Sequence, residues 1–151
     1  MANPTVFPCG ALCLAALVAG VSAQAGEPGI TRSGDLEMRC LALPTSELTP
    51  EAAREYNVAR DPRRGLLTVT IQRHQGPGKA KPLQAQVFAG AINQANIVST
   101  IPVREVQQGD TVYYLGEFHV TPPDTLRFLV NANTLHGRPL KAEFTRAFGA
   151  P

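Results

Sequence analysis

The segment Asp110-Thr-Val-Tyr-Tyr-Leu-Gly-Glu-Phe-His-Val120 constrains the fold of this chain more than any other. Val112, Tyr114, Phe118 and Val120 recur at every second position, in a run rich in β-branched and aromatic residues. Successive side chains of a strand point to opposite faces, so this spacing defines an interior β-strand with one apolar face. Gly116 falls on that face, where it leaves room for a side chain from an opposing sheet or marks a bulge. The turn Gln107-Gln-Gly-Asp110 leads in. A ribbon with one apolar face needs a second layer to cover it.

The rest of the chain supplies more ribbons of the same kind. Leu36–Leu43 alternates with Leu36, Met38, Cys40 and Ala42 on one face, and Pro44 ends it. Leu66–Gln72 buries Leu67, Val69 and Ile71 and turns Thr68 and Thr70 outward. Leu83–Ile92 sets Gln84 and Gln86 opposite Leu83, Ala85 and Val87. Asn93-Gln-Ala-Asn96 returns the chain into Ile97–Val103, where Pro102 removes a ladder donor and predicts a sheet edge. Strands starting at Leu126 and at Leu140 complete the set. Gln75–Pro82, with two Gly and two Pro, predicts a mobile surface loop. Leu48–Tyr56 carries the one helix signal: Thr49 as N-cap, Pro50 at the first helical position and Glu51 in the first turn. A helix of about two turns is too short to stand alone in water, so it is expected to dock through Leu48, Ala52 and Tyr56. About seven strands and one short helix, with no βαβ alternation, predict an all-β fold: an antiparallel β-sandwich.

The charge distribution divides the chain. The first 23 residues hold none of its 14 basic and 12 acidic residues. Gly10–Val21 is apolar, and Val21-Ser22-Ala23 is a small-x-small cleavage pattern, so residues 1–23 are expected to be a signal peptide cut after Ala23 or after Ala25. The apolar run, about 12 residues, is shorter than the roughly 20 needed to span a bilayer, and no lipobox cysteine follows. The expected product is periplasmic, with no membrane span after cleavage. It has a flexible N-terminus over 24–33 and one sandwich domain over 34–149. Cys9 and Cys13 leave with the leader. Cys40 remains alone among apolar neighbours and reads as a buried small hydrophobe, so stability must come from packing. The net charge of +2 is spread out with no basic stripe, which argues against nucleic acid as a partner.

Catalytic patterns are missing as well. His74, His119 and His136 are 45 and 17 residues apart, without metal-ligand spacing. Ser22, Ser33, Ser46 and Ser99 lack a nucleophile-elbow setting, and no glycine-rich loop opens the helix. The expectation is therefore no enzyme, no cofactor and no metal. Tyr113, Glu117 and His119 share the face of their strand opposite Tyr114 and Phe118, and form the candidate interaction patch. Two functions follow. In the first, the protein is a non-catalytic interaction or accessory module of an envelope system. It binds another envelope protein through a sheet edge or a loop end, as the outward row Thr68, Thr70, Gln84 and Gln86, the edge-like Pro102 strand and the loop Gln75–Pro82 suggest. In the second, it holds a small hydrophobic ligand between the sheets near Tyr113, Tyr114 and Phe118.

Leu48–Val58, Arg63–Ile71, Arg104–Phe118 and Leu126-Arg-Phe128 together resemble the exported Gram-negative bacterial proteins grouped as domain of unknown function 4426, over about residues 34 to 148. The resemblance implies a small signal-peptide-bearing sandwich, immunoglobulin-like in outline. It implies no catalytic residue, substrate or cofactor.

Overall fold

A computed structural model describes residues 29–149; the expected leader and its cleavage site lie outside the described residues. The chain runs through β1 (Gly29–Ser33), β2 (Leu36–Pro44), a 3-10 turn (Thr45–Glu47), α1 (Pro50–Glu55), β3 (Arg64–His74), β4 (Ala80–Pro82), β5 (Ala85–Ile92), β6 (Val98–Ile101), β7 (Val103–Gln108), β8 (Thr111–His119), β9 (Asp124–Thr134) and β10 (Leu140–Phe148). Two sheets form. The six-stranded sheet has the order β1-β2-β3-β8-β7 with β4 added to β3, and the four-stranded sheet has the order β10-β9-β5-β6. Every pairing within them is antiparallel.

The seven expected ribbons are all present, and three strands are additional. The last five residues of the segment expected to be flexible, Gly29–Ser33, form β1. Gly34, at φ +61°, turns it onto β2, and the Thr31 hydroxyl donates to the Lys141 carbonyl of β10 at 2.9 Å. Glycine-rich composition concealed a hairpin whose turn is Gly34-Asp35. The end of the expected loop Gln75–Pro82 forms β4, which pairs with Gln72–His74 at the place where β8 has diverged from β3. Finally, Pro102 does more than weaken a strand end. It separates β6, at the edge of one sheet, from β7, at the edge of the other, so the chain changes sheets there.

The apolar faces meet between the sheets. Met38, Cys40, Val69, Ile71, Tyr114 and Phe118 from one sheet pack on Ala89, Phe128, Val130, Ala132, Leu140 and Phe148 from the other. The Phe118 ring meets Phe128 and Phe148 edge-on, with centroids 5.0 and 5.7 Å apart. The space at Gly116 is taken by Ile101 of the opposing sheet, the first of the two expectations for that glycine. Gly65, directly opposite Phe118 in the ladder, lies under the Phe118 ring, so a β-carbon there would strike it. Strand β8 is interior, flanked by β3 and β7, but the middle of the sheet belongs to β3. Cys40 is fully buried, and burial pushes its thiol up to about 12.

Candidate functional surfaces

The outer face of the six-stranded sheet carries a second, smaller core. Leu66 and Leu115 are diagonal neighbours on β3 and β8, pointing away from the sandwich, and both are buried beneath α1 and the residues after it. The helix forms as its residues direct. The Thr49 side chain accepts a hydrogen bond from the Ala52 amide at 3.2 Å, and Pro50 occupies the first turn. Its end is a Schellman motif, with Asn57 at φ +54°, Val58 N–H donating to Ala53 O and Asn57 N–H donating to Arg54 O. That motif delivers Val58 onto Leu66 and Leu115. Leu48 and Tyr56 dock as expected, while the helix position that is fully covered is Ala53 rather than Ala52. Buried Thr45 fastens the loop that follows, donating to Asp61 O and accepting from Asp61 N–H, both at 2.9 Å.

Helix α1 has only six residues and does not cover the whole face. Beside it lies a groove of about 570 Å³, with Leu41, Leu43 and Leu66 along its floor and Leu48, Tyr56 and Tyr113 at its wall. Its charged lining residues are Arg39 and Glu47. Farther along the same face Glu37 is completely covered. Arg32 Nε donates to its Oε2 at 2.7 Å, Arg39 Nε donates to its Oε1, and Gln72 Nε2 donates to Oε1 at 3.2 Å. His74 Nε2 faces Oε2, also at 3.2 Å. Strand register explains the convergence: Arg32, Glu37 and Gln72 are consecutive cross-strand partners on β1, β2 and β3. The hydrogen bonds from Arg39 and then Arg32 outweigh desolvation and hold the Glu37 carboxyl at about 2. It is ionised at neutral pH, a structural anion.

The residues of the expected interaction patch do share one face, but α1 divides it. Tyr113 lies at the groove, its ring centroid 6.4 Å from that of Tyr56. Glu117 is on the far side of the helix, 3.7 Å from Arg64, and His119 lies opposite Arg64 in the ladder. Leu115 between them is buried, so the three do not form one continuous exposed surface. The outward residues are divided too: Thr68 and Thr70 line the groove, whereas Gln84 and Gln86 border a separate depression with Glu105 and Leu135. The location named for a hydrophobic ligand is filled. Phe118 is locked among phenylalanines, and the Tyr114 hydroxyl accepts the Ala85 N–H at 2.8 Å. His74 ends β3, whereas His119 of β8 lies against Arg64 at the start of β3, and no group of three or more metal-capable side chains occurs among the described residues. The Glu37 cluster escaped sequence reasoning. Its available signal was Glu37-x-Arg39, an opposite-charge pair on one face of a strand beginning just after Arg32 and a turn.

The four-stranded sheet presents a different outer face. Phe88, Gly90 and Ile92 on β5, Val98 and Thr100 on β6, and Leu129 on β9 adjoin in the ladder. Phe88 is 60% exposed and Val98 68%, whereas Ile97, at 59%, lies at the end of the sandwich with Ala91 and Phe118. No helix or loop covers Phe88 and Val98 among the described residues.

These features define a two-layer antiparallel sandwich with one outer face capped by a helix and the other left open. The chain belongs to the family described as Domain of unknown function (DUF4426), whose model matches residues 30–149. In fold it is similar to a DUF4426 family protein from Pseudomonas aeruginosa PAO1 known from a crystal structure. The two are 22% identical, with 82% of this chain and 96% of that chain covered and a TM-score of 0.68. No curated protein matches the chain.

Proposed function

We propose that the protein is an exported, non-catalytic accessory module of an envelope system that acts in the periplasm and binds a protein partner through the open face of β5 and β6. The observation that carries this reading is the exposure of Phe88 and Val98 on one outer face, joined through Gly90 and Ile92 in the ladder. Large apolar side chains gathered on one surface favour association. Strand β6 adds an edge: among the described residues it pairs with β5 alone, and a free edge accepts another strand. Export is supported by the uncharged, apolar first 23 residues and their Val21-Ser22-Ala23 ending. The non-catalytic reading draws support from Glu37, whose carboxyl is held low by guanidiniums instead of being poised as a proton donor.

The test begins with osmotic-shock fractionation, in which the protein is expected in the periplasmic fraction; retention in the cytoplasm would remove the export reading. A photo-crosslinking residue is then placed at Val98 and, as a control, at Leu135, which is 88% exposed on the β9–β10 turn. A single envelope protein captured in stoichiometric amount from Val98 and not from Leu135 supports the docking face. Equal capture at both positions, or none, rejects it.

A further inference from the structure

We infer that the groove between α1 and the outer face of β2 and β3 binds a monomeric amphiphile with one apolar chain and an anionic head, the head lying against Arg39. This inference is independent of the docking face on the other sheet. The floor follows strand register: Leu43, Leu41 and Arg39 alternate along β2, opposite Leu66, Thr68 and Thr70 on β3. Four residue steps separate Leu43 from Arg39, a length of about 13 Å at the rise of an extended strand. The volume, about 570 Å³, falls in the range of small-molecule sites. Leu41, Leu43, Leu48, Tyr56 and Tyr113 are each only partly buried, so the slot has apolar walls that the protein's own side chains do not fill.

Charge selects the head group. Glu47, near the Leu43 end, lies 3.6 Å from the buried Arg146, which offsets it. At the other end two guanidiniums, Arg32 and Arg39, share the one carboxylate of Glu37, leaving one positive charge in excess. Arg39 remains 53% exposed at that end, and Thr70, its cross-strand partner, stands beside it with a hydroxyl on the same face. An anionic head therefore gains a charge-assisted hydrogen bond where the apolar floor stops. A groove of this volume takes a single chain, and its concave floor does not match the plane of a bilayer.

The full mature protein is titrated, below micelle formation, with decanoate, decanol and decyltrimethylammonium, and backbone amide shifts are followed by NMR. Decanoate is expected to saturate, with shifts at Leu41, Thr70 and Tyr113, and to bind about tenfold tighter than decanol. The decyl cation is expected to bind more weakly than either. In Arg39→Gln the advantage of decanoate over decanol should vanish, and Thr68→Trp, which fills the slot, should abolish both. The inference is overturned if the wild-type protein gives no saturable shifts, if the cation binds as well as decanoate, or if the shifts map to β5 and β6. It is also overturned if phosphatidylglycerol vesicles bind while monomeric decanoate does not. The comparison of three ligands on the wild-type protein needs no variant to fold.

Discussion

The two sheets share a core but treat their outer faces in opposite ways. On the six-stranded sheet, Leu66 and Leu115 are as deeply covered as core residues, and the buried acidic group of that face, Glu37, is held by two arginines. On the four-stranded sheet, Phe88 and Val98 stand in solvent on strands no less regular. The difference comes from one connection. The segment between β2 and β3 is long enough to hold a 3-10 turn, α1 and a Schellman turn, and it folds back over its own sheet. The four-stranded sheet has no such insertion, because β9 and β10 are joined by a short turn and β5 and β6 by another. A sheet covered on both sides is built for stability; one left bare keeps a surface available.

If the helix-covered face is a true second core, its largest residue substitutions should behave like core substitutions. Leu115→Ala is expected to destabilise the protein by about 3 kcal/mol, because it removes a buried side chain from between α1 and the sheet. Urea unfolding with the slope held in common measures this. A loss below about 0.5 kcal/mol, the range of surface positions, would erase the contrast between the faces.

Glu37→Gln tests the charged part of the same face. Removing one partner of a fully buried pair costs about 3–5 kcal/mol, but Arg32 and Arg39 are 68% and 53% exposed, so water screens them and about 2 kcal/mol is expected. The sign of the pH dependence follows from the direction of the shift. The folded-state value, about 2, lies below the ordinary 4.5, so the unfolded chain takes up a proton first as pH falls. The Glu37 contribution is therefore whole above about pH 4.5 and is lost progressively toward pH 2. Urea midpoints measured across that window should fall more steeply for the wild type than for Glu37→Gln. Parallel curves would mean that the carboxylate is not held as the geometry describes.

Legibility from sequence differed between the faces for a physical reason. Period-two alternation reports which residues leave the solvent on one side, and it placed Val69, Tyr114 and Phe118 in the core. It is silent about the other side, where Leu66 and Leu115 sit at positions that alternation assigns outward. The hint was local: Leu66-Leu67 and Tyr114-Leu115 are adjacent apolar pairs, and a strand buried on both faces loses its alternation. Tyr113, Glu117 and His119 share one face of β8, yet no pattern along β8 reveals that a helix from between β2 and β3 parts them. Likewise Glu37 gathers Arg32, Arg39 and Gln72 only through the register of three strands, which sequence spacing does not encode. The docking of α1 was readable because Thr49, Pro50 and the apolar positions Leu48 and Tyr56 act locally.

A smaller effect refines how firmly the cap is held. Thr49→Ala removes the side-chain acceptor of the Ala52 amide and should cost about 1 kcal/mol. Because α1 borders the groove, hydrogen exchange at Ala52–Val58 should rise more than exchange in β9, which the helix does not touch. Uniform acceleration across both would show the cap to be one cooperative unit with the sandwich.

The smallest stability effect is expected on the open face, and it is the sharpest statement of the contrast. Phe88 is 60% exposed, and its neighbours on β5, Val87 and Ala89, carry the inward packing. Phe88→Ser should therefore change unfolding free energy by no more than about 0.5 kcal/mol. Under the proposed docking at this face, a partner would cover the Phe88 ring. The same variant should lose the partner captured by photo-crosslinking from Val98, while leaving decanoate binding at the groove unchanged. A loss of several kcal/mol with capture intact would reverse the assignment, making Phe88 a structural residue and leaving the four-stranded sheet as closed to partners as its neighbour.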